Sequence, residues 1–145
     1  MRVDTLHAMI LNRLAVIAAD ATLRTAACGL SKPQVGLLVV CDENKRAVGV
    51  VSKSDIVRHL TNVGVAEASV ATIMSREIVS CRPDDDLYAS WQRMSAQNLQ
   101  NMPVLATGSE PVGVLDVRDA LKALFEQEEY QERMLFNYVT GVGYQ

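Results

Sequence analysis

The sequence predicts an α+β fold, α/β in the broad sense: two βαββα modules packed sheet to sheet with pseudo-twofold symmetry. Three observations predict it. First, the chain repeats itself: Val48-Gly49-Val50-Val51 recurs as Val112-Gly113-Val114-Leu115, an offset of 64 residues from Gly49 to Gly113. Held without a gap, that offset sets Asp20 on Asp84, Leu23 on Leu87, Leu30 on Met94, Val40 on Val104, Asp55 on Asp119 and Leu60 on Leu124. Leu14-Ala15-Val16-Ile17 lies over Ile78-Val79-Ser80-Cys81 in the same register. Second, each copy reads as short strand, helix, strand, strand, helix. Third, a copy of 64 residues is near the lower limit of independent stability, so each copy needs the other's surface.

The elements follow in order. Asp20 to Leu30 reads as a helix with Leu23, Ala26, Ala27 and Leu30 inward, ended by Gly29 and Pro33. Val35 to Cys41 is a strand, Asp42-Glu43-Asn44-Lys45-Arg46 a polar turn, and Val48 to Val51 the returning strand. Ser54 to Thr61 is the second helix. In the second copy Leu87, Trp91, Met94 and Leu99 give the first helix its apolar face; Asp84 or Asp85 can cap it, with Asp86 in its first turn. Met102 to Leu105 and Val112 to Leu115 form a hairpin across Thr107-Gly108-Ser109-Glu110-Pro111. A helix starts at Asp116 with Ala120, Leu121 and Leu124 on one face. Leu121 to Phe136 mixes apolar and acidic residues, with Glu129 and Arg133 at the favoured acid-then-base spacing, so the helix continues. That extension can fold back on its own module, meet a second copy or dock on another protein. The boundaries are 1–61 for the first module, 62–69 for a linker, 70–125 for the second module, and 126–145 for the helix and a mobile tail.

Composition narrows the function. The 145 residues are 49% apolar and 21% charged, an ordinary globular balance that argues against disorder. A net charge of −3 and a pI near 5.3 give no basic footprint for nucleic acid. Asp4, His7, Asn12 and Arg13 interrupt the apolar N-terminus, so it does not read as a signal peptide, and no stretch is long enough to span a bilayer. A cytoplasmic protein is expected. Cys28, Cys41 and Cys81 show no CxxC spacing, and His7 and His59 have no ligand spacing to them, so no metal site is expected.

Two segments carry chemistry: Gly49-Val50-Val51-Ser52-Lys53-Ser54-Asp55 and Gly113-Val114-Leu115-Asp116-Val117-Arg118-Asp119. Both read glycine, two apolar residues, a polar residue, two variable residues, aspartate. With Thr72-Ile73-Met74, Val79 through Pro83 and Asn101-Met102-Pro103-Val104, they make the chain resemble the cystathionine-beta-synthase (CBS) domain family over residues 3–125. The resemblance implies an adenosine-containing ligand, AMP or ATP foremost, with ADP, NAD and S-adenosylmethionine as further candidates. It also implies a homodimer formed through the helices and regulation of another protein in trans. It carries ligand binding onto Ile17, Val39, Gly49, Val50, Ser52, Asp55, Val79, Met102, Pro103, Gly113, Asp116 and Asp119.

The residue chemistry suits such a ligand. A glycine near a strand end lets a planar ring approach the backbone, and Val39, Val50 and Val51 can flank adenine. The following helix offers free N–H groups to phosphate, Ser52 a hydroxyl, and Asp55 two acceptors for ribose hydroxyls. Lys53, Arg58 and Arg118 can balance phosphate charge or simply be solvated. Ser52-Lys53-Ser54-Asp55 is equally a helix-capping pattern, and both roles can coexist. At the second motif Asp116 replaces the hydroxyl residue and repels phosphate, so that cleft is expected to be weaker. Trp91 reads as core or dimer packing ahead of ligand stacking. A sensor module is the leading expectation, a structural interaction module with vestigial clefts the alternative. No nucleophile–base pairing or phosphate-loop lysine points to an enzyme.

Overall fold

Thr22 and Asp86, 64 residues apart, do the same job: each side chain accepts the N–H three residues on and starts a helix. Their helices are α2 (Leu23–Leu30) and α4 (Leu87–Ala96) in a computed structural model that describes residues 1–62 and 68–140. Most of the expected 62–69 linker and the last five residues lie outside the described residues. Both helix starts differ from expectation. Asp20 lies before the α2 cap, and Ala27 faces solvent, because a helix begun at Leu23 buries Leu23, Ala26 and Leu30. Asp86, not Asp84 or Asp85, caps α4, and the Asp85 carboxylate accepts the N–H of Arg82 at 2.9 Å.

Helix α1 (His7–Asn12) follows a 3-10 turn, Val3–Leu6. The first sheet has the order β1 (Val16–Ala18), β2 (Leu37–Cys41), β3 (Ala47–Ser52), with β1 parallel and β3 antiparallel to β2. The second pairs β4 (Asn101–Ala106) with β5 (Glu110–Asp116), and Cys81 adds a parallel bridge to Val104 where Ile17 meets Val40 in the first. The registers coincide at the 64-residue offset. Val39 faces Val50 and Val40 faces Gly49, as Pro103 faces Val114 and Val104 faces Gly113. Each hairpin carries a bulge at the same step, between Val40 and Cys41 and between Val104 and Leu105. Helices α3 (Lys53–Asn62) and α5 (Val117–Thr140) follow the hairpins directly.

Each module has its own core, and each borrows a lid from the far half of the chain. Leu23, Ala26, Leu30, Leu38, Val40, Val51 and Ile56 bury together with Val70 and Met74. Leu87, Met94, Met102, Val104, Leu115 and Ala120 bury together with Val3 and Ile10. Backbone bonds fix the exchange: Val3 N–H to Asp85 O at 2.9 Å and Leu87 N–H to Met1 O at 2.7 Å on one side, Val70 N–H to Ala21 O at 2.7 Å and Leu23 N–H to Ala68 O at 2.9 Å on the other. Residues 1–12 therefore pack on the second module although they precede the first. Cys81 lies in that second core, and burial pushes its thiol up to about 12. Cys28 is exposed. No helix among the described residues is long and apolar enough to cross a membrane.

Candidate functional site: the cleft between the modules

Two strand-to-helix turns and two strand entrances border a cavity of about 660 Å³. The first module supplies Pro33, Val35, Gly36 and Leu37 ahead of and along β2, and Ser52, Lys53 and Ser54 at the start of α3. The second supplies Asn98 to Asn101 and Arg118. Ligand sites of about 300–1,000 Å³ are usual for small molecules.

The start of α3 is a reciprocal cap. Asp55 Oδ2 accepts the Ser52 N–H at 2.9 Å and the Ser52 hydroxyl at 3.1 Å, and Ser52 Oγ accepts the Asp55 N–H at 3.3 Å. Asp55 Oδ1 accepts from Arg58 at 3.3 Å. The capping reading of Ser52-Lys53-Ser54-Asp55 therefore holds, and Ser52, not Asp55, lines the cavity. Lys53 and Ser54 sit in the first turn, where backbone N–H groups have no intrahelical acceptor. Across the cavity, the Asn101 side chain lies against Gly36, and its buried Oδ1 has no hydrogen-bond partner among the described residues.

The second motif is built differently. Asp116, only 2% exposed, accepts from Arg118 N–H at 2.8 Å, Nε at 3.1 Å and Nη2 at 2.9 Å. Arg13, which the sequence did not single out, ends α1, the helix packed on β5. Its Nε and Nη2 grip both oxygens of Asp119, the latter at 3.1 Å, while Nη1 lies 3.7 Å from Asp116 and donates to Gln34 O at 3.1 Å. Burial alone would raise the Asp116 pKa, but hydrogen bonds from Arg118 and the Arg13 charge hold it below the usual carboxylate value. Arg13 is raised, first by its hydrogen bond to Asp119. Asn12, Leu14, Ile17, Thr25, Lys32 and Gln34 line a smaller cavity of about 230 Å³ beside this pair. Both carboxylates of the second motif are thus engaged by arginines.

The other residues expected at a ligand are distributed unevenly. Ile17 lines the smaller cavity. Val39 is fully buried in β2, and Val50 is half-buried and paired to Ser75. Met102 is a core residue of the second module, Val79 packs against that core, and the Pro103 carbonyl accepts the Cys81 N–H. The glycines serve packing. A Cβ on Gly49 would meet Met74 Sδ at 2.7 Å and Ser75 O at 2.9 Å; one on Gly113 would meet Ile10 Cβ at 2.7 Å. The space predicted for a planar ring is filled by the borrowed lids. Trp91 stacks on Tyr88 at 6.0 Å and packs against the second core, away from both cavities.

Comparison with known proteins matches this arrangement. The CBS domain profile covers residues 9–62 and 70–126. The chain belongs to the CBS domain family. Among solved structures, a CBS domain protein from Pyrobaculum aerophilum complexed with AMP superposes with TM-score 0.72 at 26% identity, over 82% of this chain and 89% of that one. A CBS domain pair in complex with 5′-methylthioadenosine and S-adenosyl-L-methionine gives TM-score 0.74 at 20% identity, over 88% and 98% of the two chains. Among curated sequences, a 33.4 kDa protein of Thermofilum pendens is 32% identical over 65% of this CBS pair. The arabinose 5-phosphate isomerase of Escherichia coli is 28% identical over 71%. The pair spans 31% of the length of each of these two relatives.

Proposed function

We propose that this CBS pair is a regulatory module that binds an adenosine-containing ligand, AMP or ATP foremost, in the 660 Å³ cavity between its modules. The observation that carries the reading is the pairing, across one cavity, of the α3 start with the unsatisfied Asn101 side chain. Val35, Leu37 and Leu99 offer apolar walls to a base. A carboxamide presents an acceptor beside a donor, the complement of the adenine N6/N7 edge. Lys53 has no ion pair among the described residues and stands where a phosphate would reach the first-turn N–H groups. The AMP complex of the Pyrobaculum relative supports the ligand class. Ligand binding would favour one relative setting of the modules, by no more than its differential affinity for the two, and a partner in trans would read that setting.

Isothermal titration of the purified chain with AMP, ATP, NAD and S-adenosylmethionine tests this. Saturable binding at one site per chain is expected. Lys53→Ala should weaken AMP about tenfold while leaving adenosine nearly unchanged, because it removes a phosphate partner and no base contact. Absence of binding by all four ligands would refute the proposal, and two equal sites would refute the asymmetry between the motifs.

A homodimer through the helices belongs to the same reading. Tyr88, Trp91, Leu121 and Leu124 form one partly exposed apolar face across α4 and α5. Light scattering after gel filtration should give twice the chain mass, and Leu121→Glu should halve it. A monomeric parent protein would end that part of the proposal.

A further inference from the structure

Helix α5 is 24 residues long, and only Ala120 and Ala123 in it are buried. From Glu128 onward every described residue except Asn137 is exposed. At about 100° per residue, Phe125, Glu128, Glu132, Leu135, Phe136 and Val139 fall within one sector of roughly 100°. Phe125, Leu135, Phe136 and Val139 are 60%, 63%, 63% and 74% exposed. Apolar surface gathered in this way on a projecting helix marks an interaction site. The stripe is apolar at both ends and acidic in its middle. Of the charged residues from Glu126 to Arg133, Glu128 and Glu132 lie in the sector, and Glu126, Glu129 and Arg133 lie outside it.

The charges select the occupant. Antiparallel pairing with a second copy would match Phe125 to Leu135 and bring Glu128 against Glu132. Parallel pairing would set Glu128 on Glu128. Both oppose like charges. An anionic lipid surface meets the same repulsion. We propose that the distal face of α5 docks an amphipathic helix of another protein, one with lysine or arginine in the middle of its apolar stripe. The proposal is independent of the ligand reading; Phe125 and Glu128 also border the groove proposed for the dimer, so the docked helix is centred on the distal residues Glu132, Leu135, Phe136 and Val139. It gives the module a surface outside both cavities through which a partner can be held.

The probe is a fluorescein-labelled amphipathic helix of leucine and lysine, read by fluorescence anisotropy against the full chain. A leucine–glutamate helix of the same pattern is the control. The lysine helix should bind and the glutamate helix should not. Glu128→Lys with Glu132→Lys should weaken binding at least about tenfold, and Phe136→Ser similarly. Asp20→Lys with Glu43→Lys, equal in charge change but distant on the first module, should leave it unaltered. Equal loss in both charge variants would show general attraction to an acidic protein and overturn the proposal. No binding of either helix would overturn it too. Phe136→Ser converting a dimer to a monomer would show that a second copy covers the face, with the same consequence.

Discussion

Gly113→Ala is expected to lower the unfolding free energy by about 3 kcal/mol, measured by urea denaturation of the ligand-free protein. The added methyl would lie 2.7 Å from Ile10 Cβ and Cγ1 and 2.9 Å from the Ile10 carbonyl carbon. Two of those three atoms are the backbone carbonyl carbon and the Cβ, both fixed to the Ile10 Cα, so no rotamer change relieves the contact. Strand β5 would have to separate from α1, and α1 is the lid that brings Ile10 into the second core.

Gly49→Ala, its counterpart in the repeat, should cost less, about 1–2 kcal/mol. Two of its three nearest contacts are Met74 Sδ at 2.7 Å and Cγ at 3.0 Å, a flexible side chain that can turn away. Only Ser75 O at 2.9 Å is backbone. The order of the two effects is the test. If both variants were as stable as the parent in the absence of ligand, packing would not be the reason for either glycine. The glycines would then have to serve something that approaches from outside.

The repeat was legible in the sequence because it is written residue by residue: strand register, bulge step and helix caps all keep the 64-residue offset. Strand and helix ends moved by one to three residues, the largest at α2, which begins at Leu23 behind the Thr22 cap and not at Asp20. Sequence could not show which half of the chain covers each glycine, since hydrophobic patterning reports that Ile10 is buried and not against what. Nor could it pair Arg13 with Asp119, 106 residues away. A usable signal lay in the breaks of the repeat. Arg13 stands at the same offset as Glu77, Asp116 as Ser52, and Asn101 as Leu37. Those three departures mark an arginine-bound second motif and a polar wall on the open cavity, whereas Val39 and Met102, which obey the apolar pattern, went to the interior and Val79 packs against it.

Arg13→Ala is expected to cost about 2 kcal/mol at neutral pH. Arg13 and Asp119 side chains are each 19% exposed, so solvent screens part of the loss, but Asp116 at 2% cannot turn to water. Removing Arg13 leaves two carboxylates facing Arg118 alone and frees the Gln34 carbonyl. Asp119→Ala should cost less than Arg13→Ala, and the double variant less than the sum, with a coupling of about 1.5 kcal/mol. The pH dependence has a definite sign. The Asp116 carboxyl is held below its unfolded value, so its contribution is present above pH of about 4 and is lost as pH falls through the lower, folded value. Arg13 is one of the groups holding it down, so in Arg13→Ala the acid-side loss should begin at higher pH than in the parent. Asp116→Asn should flatten that part of the profile. Denaturation midpoints compared across the acid range would check both. A variant lacking Arg13 with an unshifted acid limb and less than about 0.5 kcal/mol lost would mean that the Arg13–Asp119 pair is a surface contact without structural weight. The predicted shift would instead identify Arg13 as what ties the second motif to the end of α1 and to the Gln34 carbonyl of the first module.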